Sequence, residues 1–338
     1  MAEPIRFRAV APGRVNLIGD HTDYMGGLAL PMAINLVTTI TGVRTGSTIE
    51  LHSEQVEQAL HVVLPVSEPQ LTTPAWGRYV AGVAAELAST RGIVGKVTST
   101  IPLGSGLSSS AALEVATALA LGDSASSVEI ALRCQRAEQL ASGVPCGIMD
   151  QLAITSGRSG HAMLIDFADL HVTPVAIPDS AQFWVIHSGQ ERQLVSSAYS
   201  ERRTQAEAAA AILGPLPQAD LSSINVLTDA VLRARARHVN TECARVQQFA
   251  VALENCELVL CGELMAQSHA SLRDDYEVST EALNSLVNSL AATPGVYGAR
   301  LTGAGFGGCV VALADPELQL DGWRVVPSDG ARLELLAD

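Results

Sequence analysis

The chain has 338 residues, a length typical of two domains and sufficient to bury a sizeable core. Hydrophobic residues make up 48% of the sequence and aromatic residues only 4%, so we expect an aliphatic core with several alanine-rich helices. The net charge of -14 is spread without long acidic blocks, which disfavours nucleic acid and anionic membranes as partners. The six cysteines form no C-x-x-C pair, which argues against a zinc site and against a disulfide framework.

The first residues, MAEPIRFRAVAPGR, contain no apolar segment of the kind that a secretory signal needs. No stretch approaches the roughly 18 uninterrupted apolar residues of a membrane-spanning helix. We therefore predict a cytoplasmic protein.

Strands around a glycine-rich turn are predicted at the front of the chain, where residues 5–10 and 28–52 alternate or run apolar with β-branched residues. Alanine content and apolar spacing then predict three helices, over residues 76–89, 110–121 and 127–140. Three further strands are predicted over residues 97–101, 162–167 and 183–187.

Long helices dominate the sequence after Gly189. They are predicted over residues 192–213, 222–237, 241–253, 257–272 and 279–291. One of them carries a single apolar stripe, formed by Val246, Phe249, Ala250 and Leu253. Strands over residues 296–301 and 309–313 bracket a glycine loop, and a last strand covers residues 323–326.

The change towards long helices predicts a domain boundary between residues 175 and 190, where prolines interrupt the pattern. We therefore expect an N-terminal domain over residues 1–180 and a C-terminal domain over residues 181–338.

The segment IPLGSGLSSSAA, residues 101–112, reads as a strand end, a glycine and serine loop and a helix start. Gly104 and Gly106 allow close approach of a ligand, and the serines and free N–H groups of the helix offer donors to phosphate oxygens. The segment lacks the Gly-Lys-Ser/Thr of a Walker A loop. An ordinary capped helix is the alternative.

The segment APGRVNLIGDHTDY, residues 11–24, concentrates Arg14, Asp20, His21 and Asp23 in one turn after a strand. Acidic and histidine side chains bind sugar hydroxyls, and an arginine neutralises charge on a phosphoryl group in transfer. A metal site at His21 and Asp23 is the alternative, although no third ligand stands at a telling spacing.

Asp150 follows a glycine turn in the segment CGIMDQ, in apolar surroundings that favour a general base. A helix-capping aspartate is the alternative. Glu138, twelve residues earlier on a helix, either faces the same pocket or is a solvated surface residue. The glycine loop LTGAGFGGC, residues 301–309, either closes over a ligand or forms a bulged hairpin.

In order along the chain, these four segments resemble motifs of the GHMP kinase superfamily, and of the galactokinase family within it. The stretches SAYSERR and GELMAQSHASLRDDYEVS are similar to galactokinase segments in particular. The resemblance implies an α+β fold with a mixed N-terminal domain, a ferredoxin-like C-terminal domain and an active site between them.

The resemblance also implies residue roles. Asp150 would act as the base or orienting carboxylate, and Arg14 would stabilise the transferring phosphoryl group. The implied sugar-binding residues are Asp20, His21, Thr22, Asp23, Gly147 and Tyr199. The implied ATP-binding residues are Gly104, Ser105, Gly106, Leu107, Ser108, Ser109 and Ser110, with Trp76 and Ser53 beside the adenine. Ser110 and Glu138 would hold Mg²⁺.

The implied activity is ATP-dependent phosphorylation of a sugar at its anomeric hydroxyl, with galactose as the leading candidate. Asp20, Met25 and Ser200 stand where the family usually has Glu, Asn and Asn. N-acetylgalactosamine, glucose and galacturonate therefore stay open as substrates, and a non-catalytic sugar and ATP sensor is the remaining alternative.

The predicted oligomeric state is a monomer or a weak homodimer. The stretch from Ala314 to Val326 lacks the helix usual in the family, so one side of the C-terminal domain is expected to be exposed. Val310 and Val311 would form the contact of such a dimer.

Overall fold

The computed structural model describes residues 5–190 and 195–337. Its N-terminal half contains eight strands and four helices within the described residues. The strands are β1 (Ile5–Asn16), β2 (Leu28–Ala29), β3 (Pro31–Arg44), β4 (Thr48–Ser53), β5 (Leu60–Val63), β6 (Ile93–Ser99), β7 (His161–Asp166) and β8 (His171–Ala176). The helices are α1 (Gly77–Glu86), α2 (Ser109–Leu121), α3 (Ser127–Ser142) and α4 (Met149–Ser156).

The remaining elements follow after residue 181. The strands are β9 (Gln182–His187), β10 (Val296–Leu301), β11 (Cys309–Ala314), β12 (Trp323–Val325) and β13 (Arg332–Leu335). The helices are α5 (Val195–Leu213), α6 (Leu221–Asn225), α7 (Ala230–Glu254), α8 (Leu258–Asp274) and α9 (Glu281–Ala291).

Long β-branched strands build the largest sheet, in the order β13-β1-β3-β6-β4-β5. Helix α2 contacts β1 and β3, and the small alanine side chains that make up much of the helix allow this close approach. The sheet and its helices share one core of aliphatic side chains, which confirms the aliphatic core expected from the composition. A small sheet, β2-β7-β8, lies beside β3.

The C-terminal sheet has the order β10-β11-β9-β12 and is antiparallel. Side chains alternate between its two faces, so Phe183 and Val185 join the N-terminal core, whereas Trp184 and Ile186 pack in a second cluster. The two halves therefore share packed surface, and the predicted α+β fold is confirmed.

The chain end returns to the N-terminal half. Strand β13 pairs with β1, with Phe7 opposite Leu335. The boundary between residues 180 and 181 stays a prediction, but the last strand lies on the sheet of the preceding half.

The predicted break between two helices, residues 222–237 and 241–253, is wrong. The structure has the short α6 and then a continuous α7, which begins where the Asp229 side chain accepts hydrogen bonds from the Val231 and Leu232 amides. From the sequence alone, polar residues in the middle of α7 suggest that the helix is broken there. In the structure, however, Arg235 and Glu242 are buried and have partners. The predicted apolar stripe of Val246 on this helix is confirmed as buried.

The expected exposure of Val310 and Val311 is wrong. Both are fully buried in β11, which lies between β10 and β9. An interior strand has no free edge, so these valines are not available for a dimer contact. Among the described helices, none has the length and apolar character needed to cross a bilayer.

Candidate active site

Two neighbouring cavities are lined by residues of the predicted motifs. The first, which we call the acceptor cavity, has a volume of about 380 Å³ and the second, the phosphate cavity, about 780 Å³. Arg14, Glu138 and Asp150 line both. A ligand in each cavity would therefore meet the other at these three side chains.

The phosphate cavity is formed by the glycine and serine loop and the start of α2. Its lining includes Gly104, Gly106, Ser108, Ser109 and Ser110. Ser108 precedes the helix in a left-handed conformation, with φ 61°, and the first amides of α2 follow it. Amides at a helix N-terminus form a favourable site for phosphate oxygens.

The loop is fixed to strand β1 at Arg14. The Arg14 amide donates to the Leu107 carbonyl at 3.2 Å, and its guanidinium Nη1 donates to the Gly106 carbonyl at 2.7 Å. A Cβ on Gly13 would lie 2.7 Å from the Leu107 oxygen, so this close approach requires glycine.

Arg14 and Asp150 form a bidentate ion pair between the cavities. The guanidinium Nε and Nη2 donate to Oδ1 and Oδ2 at 2.8 and 2.6 Å, and the Ser108 hydroxyl donates to Oδ2 at 2.5 Å. Asp150 lies in the first turn of α4, where the helix dipole favours a negative charge. The side chain of Arg14 is 7% exposed and that of Asp150 is 26% exposed, so a ligand reaches the carboxylate more readily.

Asp20 lines the acceptor cavity but is held by the C-terminal half. Its carboxylate pairs with the fully buried Arg300 and accepts from the Gly303 amide at 2.9 Å. Both carboxylate oxygens therefore have protein partners. Asp20, which is shorter than the Glu usual in the family, thus forms a contact between the two halves of the chain.

His21 is neutral and belongs to an aromatic cluster. Burial and the neighbouring His238 lower the pKa of His21 to about 3. Because the Ala304 carbonyl can only accept, Nε2 carries the proton and donates to that carbonyl oxygen at 3.2 Å. Nδ1 then accepts from the Tyr24 hydroxyl at 2.9 Å. The ring of Tyr199 lies 5.5 Å from that of His21 and completes this wall of the acceptor cavity.

Asp23 packs against Gly147. A Cβ on Gly147 would lie 1.6 Å from the Asp23 Oδ2, so the glycine is required for space. Burial and the negative charge of Asp150 raise the pKa of Asp23 to about 6. This carboxylate therefore changes charge in a mildly acidic range.

Glu138 and Ser110 meet at the edge of the phosphate cavity. The Ser110 hydroxyl donates to Glu138 Oε1 at 3.1 Å, and the Gln151 amide donates to Oε2 at 2.6 Å and to Glu114 at 2.9 Å. Burial and Asp150 raise the pKa of Glu138. The described residues contain no group of three His, Cys, Asp or Glu side chains suited to a metal. One hydroxyl and one carboxylate nevertheless match Mg²⁺, which takes few protein ligands beside phosphates and water.

Some predicted site residues lie outside the cavities' described linings. Ser105 and Leu107 turn inward, the serine donating to the Pro102 carbonyl at 2.7 Å. The buried Thr22 hydroxyl lies 2.7 Å from the Leu28 carbonyl, so its side chain supports the loop. Trp76 packs on the core, with a buried indole N–H that lacks a partner among the described residues. Ser53 ends β4, and the adenine contacts of Trp76 and Ser53 stay predictions.

Met25 packs against the second hydrophobic cluster and is not among the described residues that line the acceptor cavity. Its departure from the family pattern therefore lies outside the described lining of the acceptor cavity. Sequence reasoning missed His187 and Trp323, which line the phosphate cavity from β9 and β12. Both strands are predictable from sequence, but their pairing is not, so the two side chains give no joint signal.

Comparisons with known proteins identify the family of this chain. The family model "Galactokinase galactose-binding signature" matches residues 2–44, "GHMP kinases N terminal domain" matches residues 78–158, and "GHMP kinases C terminal" matches residues 249–327. Human galactokinase is 44% identical over 333 residues, covering 93% of this chain and 85% of the human protein. Galactokinase of Roseiflexus sp. (strain RS-1) is 40% identical over 334 residues, covering 90% of this chain and 82% of that protein.

Solved structures give the same result. The crystal structure of Lactococcus lactis galactokinase complexed with galactose has a TM-score of 0.89 at 29% identity, and covers 98% of this chain and 95% of that one. Methanococcus jannaschii mevalonate kinase has a TM-score of 0.66 at 21% identity, and the match covers 92% of this chain and 91% of that one. It shares the fold of this chain.

The fold and the paired cavities define a GHMP kinase, an enzyme that transfers a phosphoryl group from ATP to a small molecule. Within that class, the chain belongs to the galactokinase family. The predicted family, fold and sugar kinase activity are confirmed.

Proposed function

We propose that this chain phosphorylates galactose at its anomeric hydroxyl, using ATP as the donor. The observation that carries the proposal is the shared lining of the acceptor and phosphate cavities by Arg14, Glu138 and Asp150. A sugar in the first cavity and the ATP phosphates in the second would meet beside the Arg14–Asp150 pair. Phosphoryl transfer depends mainly on such positioning and on charge neutralisation.

Asp150 has the capacity to orient the acceptor hydroxyl. A carboxylate has about four lone-pair positions, and Arg14 and Ser108 occupy three of them. The remaining position is available to accept the proton of the anomeric hydroxyl and to point its oxygen at the phosphoryl group.

Arg14 supplies positive charge where the two substrates meet. Its contacts to Asp150 and Gly106 fix the guanidinium in place before substrates bind, so little reorganisation is needed when charge develops on the phosphoryl oxygens. Ser110 and Glu138 would hold Mg²⁺, which neutralises phosphate charge when bound.

The lining of the acceptor cavity favours a neutral sugar. Asp20, Asp23, Glu138 and Asp150 contribute acidic groups, and Arg14, already paired, is the one arginine or lysine among the described lining residues. Arg300 and Arg14 compensate Asp20 and Asp150, but no ion pair within the described residues compensates Asp23 or Glu138, so the carboxylate of galacturonate would be repelled there. The galactose named for the Lactococcus lactis structure supports galactose as the sugar.

A non-catalytic sensor is disfavoured because Arg14, Asp150 and Ser110 are all present and Arg14 and Asp150 are already paired. We place the enzyme in the cytoplasm as a prediction.

An assay of ADP release with a panel of galactose, glucose, N-acetylgalactosamine and galacturonate tests the proposal, with phosphorus NMR to locate the new phosphate. The expected result is the highest kcat/KM with galactose and a phosphate on the anomeric carbon. Turnover of another sugar in preference would replace galactose, and ATP binding without turnover on any sugar would support the sensor.

A further inference from the structure

The C-terminal half contributes one wall of the phosphate cavity. Opposite the glycine and serine loop, the described lining residues from this half are His187 and Trp323. Both are half-buried, and neither belongs to the four segments that carry the family motifs. A nucleotide in the cavity would therefore contact both halves of the chain.

Strand pairing explains why these two side chains face the loop. Trp323 on β12 is directly opposite Val185 on β9, and His187 lies two residues beyond Val185 on the same strand. Residues two apart on a strand share a face, as do directly opposite residues. Val185 faces the N-terminal core, so Trp323 and His187 project towards the N-terminal half as well.

The hydrogen bonding of His187 leaves one ring nitrogen for a ligand. The Gly189 amide donates to Nδ1 at 3.1 Å, so Nδ1 must be unprotonated and the neutral ring carries its proton on Nε2. Within the described residues, no hydrogen bond to Nε2 competes for this donor.

The charges of the cavity leave a role for such a donor. The other ionisable lining groups are Arg14, Glu138 and Asp150, so the described lining has one positive and two negative side chains. Arg14 is already bound to Asp150 and to the Gly106 carbonyl. A polyphosphate therefore gains from each further donor that points into the cavity.

We propose that His187 is a nucleotide-binding residue, whose Nε2–H donates to an oxygen of the ATP phosphate chain. This inference rests on the proposed function, since it places the phosphates in this cavity. The histidine acts as a clamp from the C-terminal half, opposite the amides of α2.

Isothermal titration with the non-hydrolysable analogue AMP-PNP and Mg²⁺ tests this role in four variants. His187→Ala removes both ring nitrogens. His187→Asn keeps an acceptor near the Nδ1 position for the Gly189 amide, whereas His187→Gln keeps an N–H near the Nε2 position. His171→Ala, at an exposed position on β8, is the matched control.

The expected result is AMP-PNP binding that is weaker by about tenfold or more in His187→Ala and His187→Asn, the usual loss for a hydrogen bond to a charged group. His187→Gln should stay within about threefold of the wild type, as should galactose binding in every variant. A rise in the KM for ATP should accompany the weaker binding.

Two results would overturn the inference. AMP-PNP affinity within about twofold of the wild type in His187→Asn and His187→Ala would show that Nε2 does not contact the nucleotide. Rescue by Asn but not by Gln would assign His187 to support of the turn at Gly189. Failure of the wild type to bind AMP-PNP would instead remove the proposed function itself, so the two failures are distinguishable.

Discussion

Replacement of Gly147 by alanine should weaken sugar use while sparing ATP. The new Cβ would lie 1.6 Å from Asp23 Oδ2, so the oxygen must move by about 1.8 Å to reach an ordinary contact of 3.4 Å. Hydrogen bonds tolerate only a few tenths of an ångström, so the hydrogen bond that we expect between Asp23 and the sugar would be lost. The loss of a charged hydrogen bond corresponds to roughly a 10- to 150-fold drop in kcat/KM for the sugar.

Steady-state kinetics with each substrate varied separately measure this effect. The KM for ATP should be unchanged, because neither Gly147 nor Asp23 lines the phosphate cavity. The double variant Gly147→Ala, Asp23→Ala should be no worse than Asp23→Ala alone, since the clash has then lost its partner. A normal sugar KM in Gly147→Ala, or losses that add in the double variant, would refute this reasoning.

The further predictions concern the charges of three side chains in the site. Arg14→Ala should lower kcat by about a hundredfold or more, because it removes the fixed positive charge between the cavities. We expect ionised Asp23 to accept a hydrogen bond from the sugar. Because the pKa of Asp23 is raised to about 6, kcat/KM for the sugar should then fall about tenfold per pH unit below that value, and Asp23→Asn should remove this acid limb. A raised folded-state pKa stabilises the fold only below that pKa, so the melting temperature of Asp23→Asn relative to the wild type should increase from about pH 5 to about pH 8. Glu138→Gln should raise the Mg²⁺ concentration for half-maximal activity about tenfold or more.

Each of these has a contradicting outcome. A kcat within about fivefold of the wild type in Arg14→Ala would remove its catalytic role. An acid limb that persists in Asp23→Asn belongs to another group. An unchanged Mg²⁺ requirement in Glu138→Gln would exclude Glu138 as a ligand.

The sequence predicted the parts of the site that depend on local motifs. Arg14, Asp150 and the loop from Gly104 to Ser110 lie at the cavities because strand ends, glycines and a helix start specify their own local geometry. The side-chain directions within that loop were less accessible. Ser105 and Leu107 turn into the core, which the pattern of small and polar residues does not reveal.

Long-range pairing explains what the sequence did not predict. Asp20 meets Arg300, which lies 280 residues away, and no local pattern indicates that contact. The register that places Trp323 opposite Val185 is likewise set by the assembled sheet. The buried Arg235 in α7 looks like a surface residue until its distant partners, Gln205 on α5 and Glu277 after α8, are known.

The most direct test of the central claim is the rate of phosphoryl transfer to galactose in a single turnover, compared between the wild type and Asp150→Asn. The substitution keeps the size of the side chain beside Arg14 but removes its charge. The expected result is galactose and AMP-PNP binding within a few-fold of the wild type, with transfer slowed by about a hundredfold or more. Transfer by Asp150→Asn at a rate close to that of the wild type would contradict the assignment of the reaction to the junction of the two cavities.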